Sequence, residues 1–152
     1  MTATLRPELG DFMSLICFQY LRQVAEETAG RALIITAGRQ RGKDLAEQLG
    51  LLGTTQDAAM LREKLDQALG GDGTRLCLVQ RVTPKADGGY EIRVAEGACA
   101  AGVTSSEPFC AFTMGVFIGA ISAMTGRRML GKESQCCATG ASTCVYQIDP
   151  VG

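Results

Sequence analysis

The chain predicts an α+β fold, with an antiparallel sheet of about four strands in two hairpins covered by helices. Three observations carry this. Apolar residues recur at helical spacing through roughly the first 70 positions, the period changes to two from Arg75, and a long uncharged run separates the first two-residue pattern from a second one near the C-terminus.

Asp11 is placed to cap a first helix in which Met13, Ile16, Cys17, Tyr20 and Val24 share one face, and Gly30 ends it. The stretch after Arg31 fits a strand over Ala32–Thr36 or a helix with Ile34, Ala37, Gly38, Leu45 and Leu49 on one face, and the helix is the better fit. Thr54 and Asp57 form a capping pair before Ala58, Leu61, Leu65 and Leu69, and Gly70-Gly71-Asp72-Gly73 breaks the chain.

From Arg75, Leu76, Leu78 and Val82 alternate with Cys77, Val79 and Arg81. Pro84 and Asp87-Gly88-Gly89 then turn the chain into a second strand carrying Tyr90, Ile92 and Val94 on one face, which makes a hairpin. A helix follows with Ser106 as N-cap and Pro108 in its first turn, running to Thr125-Gly126. Arg128–Cys136 and Thr143–Ile148 read as two more strands joined across Gly140. The expectation is one domain over 1–152, with a helical half to about 70 and the sheet, long helix and candidate site over about 75–150.

The charge balance, Lys plus Arg 15 against Asp plus Glu 16, has no footprint for nucleic acid or an anionic membrane. The uncharged run Phe109–Met124 falls short of the roughly 20 residues a membrane span needs and reads as a buried core helix. No secretory pattern opens the sequence, so a cytoplasmic location is expected, where its seven cysteines stay reduced.

The chain has no histidine, so a zinc site must be built from thiolates and carboxylates. Cys136 and Cys144 lie near the ends of the second hairpin, Glu133 is close by, and Cys110 falls in the first turn of the long helix, where the dipole favours thiolate. Cys137 is an alternative to Cys136, because one residue flips a strand side chain to the other face. Three thiolates and a carboxylate around a divalent cation call for nearby donors, with Lys132, Arg127 or Arg128 expected in that role. Cys17, Cys77 and Cys99 read as core or loop residues. The absence of a histidine base argues against thiol hydrolysis, and the absence of a Gly-x-Gly-x-x-Gly fingerprint against a dinucleotide-dependent reductase.

Glu133-Ser134-Gln135-Cys136, Gly140 and Cys144-Val145-Tyr146-Gln147-Ile148 resemble the 4-vinyl reductase domain family, and Gly38 to Gly42 resembles that family's Gly-x-x-x-Gly helix segment. In the family's phenol- and toluene-responsive sensor domains, three cysteines and a glutamate with the spacing of Cys110, Glu133, Cys136 and Cys144 hold zinc, so the resemblance selects Cys136 over Cys137. It further implies a fold like that of the TRAPP vesicle-tethering subunits, an apolar cavity and a homodimer.

The sensors' phenol-gripping His and Trp have no counterpart here. The function expected is therefore non-catalytic binding of a small apolar or amphipathic molecule, of tetrapyrrole or hydrocarbon type, with structural zinc as cofactor. Tyr90, Phe109, Phe112, Met114, Phe117 and Tyr146 are the candidate cavity wall. The alternatives are an assembly factor acting through protein contacts, for example in photosynthetic complexes, and, third, a tetrapyrrole vinyl reductase.

Overall fold

A computed structural model describes residues 15–54 and 57–152. Helices α1 (Leu15–Ala29), α2 (Arg31–Gln48) and α3 (Ala58–Leu69) precede the hairpin β1 (Leu78–Pro84) and β2 (Tyr90–Ala95). Helix α4 (Ala111–Thr125) then leads into β3 (Met129–Gln135) and β4 (Cys144–Pro150). The four strands form one antiparallel sheet in the order β1-β2-β4-β3. The predicted α+β architecture therefore stands, with a long chain reversal that places β4 beside β2.

Helix α4 is apolar on every side because it lies between two layers, the sheet beneath it and α2 above it. Two Gly-x-x-x-Gly segments make the upper contact. A Cβ on Gly42 would stand 2.0 Å from the Val116 carbonyl oxygen, and one on Gly119 would stand 2.1 Å from that of Arg39. Gly38 and Gly115 meet in the same seam, so both pairs serve packing within the chain. Helix α3 covers the β1 side of the sheet, burying Leu61, Leu65 and Leu69. Glu91, Lys132, Ser134 and Gln147 lie on the polar outer face, where Gln147 Nε2 donates to Glu91 at 2.9 Å.

Several local expectations change. Asp11 and Met13 lie outside the described residues, and the rest of the predicted α1 face, Ile16, Cys17, Tyr20 and Val24, is exposed. The face turned inward is instead that of Phe18, Gln19 and Arg22. Gln19 Nε2 donates to the carbonyls of Ala98 and Ala101, each at 2.9 Å, and the Arg22 guanidinium stacks 3.7 Å over the Phe109 ring. In α2, Ala37 is exposed while Gly42 and Ala46 are buried. Asp57 is the N-cap position of α3 but makes no side-chain capping bond, and Thr54 Oγ1 donates to the Leu51 carbonyl.

In β1 the alternation is interrupted by a bulge between Val79 and Arg81, so Cys77, Val79 and Val82 all face the core. Helix α4 begins at Ala111 rather than beside Ser106. The residue before Pro108 is held out of helical geometry, and the amides of Phe109 and Cys110 are engaged by Cys136 Sγ and Glu133, as described below.

Candidate metal centre

Three sulfurs converge where α4 starts and the second hairpin closes. Cys110 is the N-cap residue of α4, Cys136 follows β3, and Cys144 opens β4. Cys110 Sγ lies 3.8 Å from Cys136 Sγ and 3.8 Å from Cys144 Sγ, and all three sulfurs lie within 4.8 Å of one another. All three residues are buried.

In a regular strand Glu133 and Cys136, three residues apart, would point to opposite faces and could not meet. A bulge between Glu133 and Gln135 resolves this, for Glu133 pairs with Tyr146 and Gln135 with Val145. Parity shifts by one, and Cys136 joins Glu133 on the inner face while Ser134 and Gln135 stay exposed. Cys137 opens the single 3₁₀ turn Cys137–Thr139 and remains half-buried.

Backbone donors surround the sulfurs. The amide of Phe109 donates to Cys136 Sγ at 3.4 Å and that of Cys137 to Cys144 Sγ at 3.3 Å. Glu133 accepts the Cys110 amide at 2.7 Å through Oε1, and its Oε2 pairs with Arg31 at the start of α2. Arg31 is the cation that sequence reasoning missed. Lys132 and Arg128 are exposed, and Arg127 donates to the Asp87 carbonyl at 3.2 Å.

The protonation equilibria follow from crowding. Hydrogen bonds from the Cys110 and Cys144 thiols pull Cys136 below the usual thiol range, against the effect of burial. The same contacts with Cys136 and Cys144, then burial, push Cys110 far up. Burial also raises Glu133, opposed by Arg31 and the Cys110 amide. Without a cation the cluster therefore holds one favoured thiolate, and a bound divalent ion is what would let all three ionise together. Three convergent thiols with backbone N–H donors at their rims can chelate a metal.

A cleft of about 500 Å³ lies apart from the sulfurs, bordered by Leu15 and Phe18 of α1, Leu69, Leu76, Ala98 and Phe112. Of the predicted wall residues, Phe112 borders this cleft and Phe109 a smaller one of about 200 Å³. Met114, Phe117 and Tyr146 are closed into the core, where the last two rings pack 5.6 Å apart, and Tyr90 is half-buried on β2.

Residues 90–150 match the model of the 4-vinyl reductase domain. The phenol-responsive sensory domain of the transcription activator PoxR, with phenol, is 20% identical. It superposes with a TM-score of 0.71 over 91% of this chain and 75% of its own. A vinyl-4-reductase family protein from Methanocaldococcus jannaschii is 14% identical, with a TM-score of 0.67 over 95% of this chain and 86% of its own. Trafficking protein particle complex subunit 3 from Naegleria fowleri, covalently bound to palmitic acid, is 15% identical, with a TM-score of 0.54 over 90% of this chain and 89% of its own. No curated protein sequence matches the chain. With the family match spanning β2, α4 and the cysteine hairpin, the chain carries a 4-vinyl-reductase-like domain related in fold to the phenol sensor and the trafficking-particle subunit.

Proposed function

We propose that this is a non-catalytic ligand-binding module in which zinc, held by Cys110, Cys136, Cys144 and Glu133, fastens the C-terminal hairpin to α4. The observation that carries the reading is the sulfur triangle. Tetrahedral zinc with bonds of about 2.3 Å to thiolates requires sulfur–sulfur separations of about 3.8 Å, the spacing of Cys110 from both partners. Glu133 is the carboxylate placed to complete the set, hydrogen-bonded to the amide of Cys110 and steadied by Arg31. Four protein ligands leave no open position, so the metal supplies cross-linking and charge neutralisation rather than a reactive water.

The test is the metal content of protein purified without added metal, for wild type and four serine variants. About one zinc per chain is expected in wild type and in Cys137→Ser, with loss in Cys110→Ser, Cys136→Ser and Cys144→Ser. A folded wild type without metal would sink the reading.

The ligand is proposed to be a small apolar or amphipathic molecule, of hydrocarbon or tetrapyrrole type, in the cleft between α1, α4 and the entry to β1. Its volume of about 500 Å³ lies within the usual range for small-molecule sites. The phenol held by the sensor domain and the palmitic acid on the trafficking subunit support this class. An apolar fluorophore that binds wild type should lose most of its affinity for Phe18→Asp. Equal binding by the two would move the ligand elsewhere.

One observation favours a second reading, in which the module acts through protein contacts, first of all with another copy of itself. The outward face of α1 exposes Leu15, Ile16, Tyr20, Leu21 and Val24, and Leu33 of α2 is exposed as well. Tetrapyrrole vinyl reduction remains the third proposal and requires turnover with an added reductant.

A further inference from the structure

Cys137 is the hairpin sulfur that the proposed metal set leaves out. Its amide donates to Cys144 Sγ at 3.3 Å, so its side chain starts within a few bonds of that sulfur. The Cys137 thiol is also a hydrogen-bond partner of Cys144.

Accessibility separates the four sulfurs of this region. Cys110 is 0% exposed and Cys136 and Cys144 are 1% exposed, whereas Cys137 is half-buried. A peroxide must approach sulfur in line to react, so the reachable thiol is oxidised first. The geometry also chooses the partner. Consecutive Cα atoms are about 3.8 Å apart, below the roughly 4.4 Å minimum of an unstrained disulfide, which disfavours bonding between Cys136 and Cys137. Cys144, facing Cys137 across the turn, carries no such restriction.

We propose that Cys137 is an oxidation site for hydroperoxides and that its oxidised sulfur is captured by Cys144, withdrawing Cys144 from the metal set. In the first step the Cys137 thiolate attacks the peroxide. An S–O bond forms, the O–O bond breaks, and the leaving oxygen takes a proton to become water or an alcohol. In the second step the Cys144 thiolate attacks the resulting sulfenic sulfur. The S–S bond forms, the S–O bond breaks, and hydroxide leaves as water after protonation. The two cysteines give up two electrons and the hydroperoxide accepts them. Loss of one of three thiolates then weakens metal retention, and a thiol reductant restores the site. This last consequence rests on the zinc reading; the disulfide itself does not.

The experiment treats the purified protein with one equivalent of hydrogen peroxide in a Cys17→Ser background, because Cys17 is also exposed. Metal content is measured beforehand, which judges the zinc reading separately. The disulfides are mapped by peptide mass spectrometry, and released metal is followed with a chromophoric chelator. The expected result is a Cys137–Cys144 bond as the main cross-link, with metal release slowed at least about tenfold by Cys137→Ser. Cross-links confined to Cys110, Cys136 and Cys144, or unchanged release in Cys137→Ser, would overturn the proposal. If the purified protein holds no metal, the cross-link pattern alone decides it.

Discussion

Glu133 shows how a buried charge is made tolerable. Its side chain is 1% exposed, yet one oxygen receives the Cys110 amide and the other receives Arg31, so both acceptor sites are directed. Arg31 lies 102 residues away in sequence, and no local pattern could nominate it over Lys132, which is nearer in the chain and points outward. Buried Cys77 leads to a prediction about alkaline stability. Burial, then the neighbouring Cys99, raises its thiol above the usual value of 9.0, so the unfolded chain loses this proton first as pH rises. The contribution to stability is full below about pH 9 and declines above it by about 1.4 kcal/mol per pH unit. Urea denaturation at pH 8 and at pH 10 should show wild type losing more stability than Cys77→Ala by about that slope; equal losses would place Cys77 outside the titration.

At the scale of elements, the α2–α4 seam is set by contacts that only glycine permits. Gly42→Ala would drive a Cβ to 2.0 Å from a backbone oxygen, where no side chain can rotate away. Overpacking of this kind costs on the order of 3 kcal/mol. Gly71→Ala, with nothing within 4 Å of its added Cβ, should change stability by less than about 1 kcal/mol. Chemical denaturation of the two variants compares them directly, and similar losses would mean that the helices separate at little cost. The helices and both hairpins were legible because apolar periodicity and Gly-rich breaks are local signals. The bulges in β1 and β3 were not, since a bulge is chosen by which residues the core accepts. The start of α4 was misplaced for the same reason, as its preceding amides are recruited by the hairpin.

For the whole molecule, α1 is the element most open to a partner. Ile16, Tyr20 and Leu21 are each at least 65% exposed, while the inward face is tied down by Gln19 and by Arg22 on Phe109. Pairing of this face in two copies would bury roughly 1,200 Å², the lower edge of the range for stable complexes. Wild type should sediment as a dimer at micromolar concentration and Leu21→Glu as a monomer with an unchanged circular dichroism spectrum. A monomeric wild type would leave the α1 face to a different partner. Among the described residues no helix is long and apolar enough to cross a membrane.

The sequence by itself determined the α+β class, the order of elements, the buried character of α4 and the cysteines that meet. Each of these depends on residue type and short-range period, which survive in one dimension. Tertiary structure alone decided that α1 turns its apolar face outward, that Arg31 partners Glu133, that a bulge puts Cys136 beside Glu133, and that the large cleft lies away from Phe117 and Tyr146. These depend on which distant surfaces pack, and packing is settled by volume and by hydrogen-bond partners that are far apart along the chain.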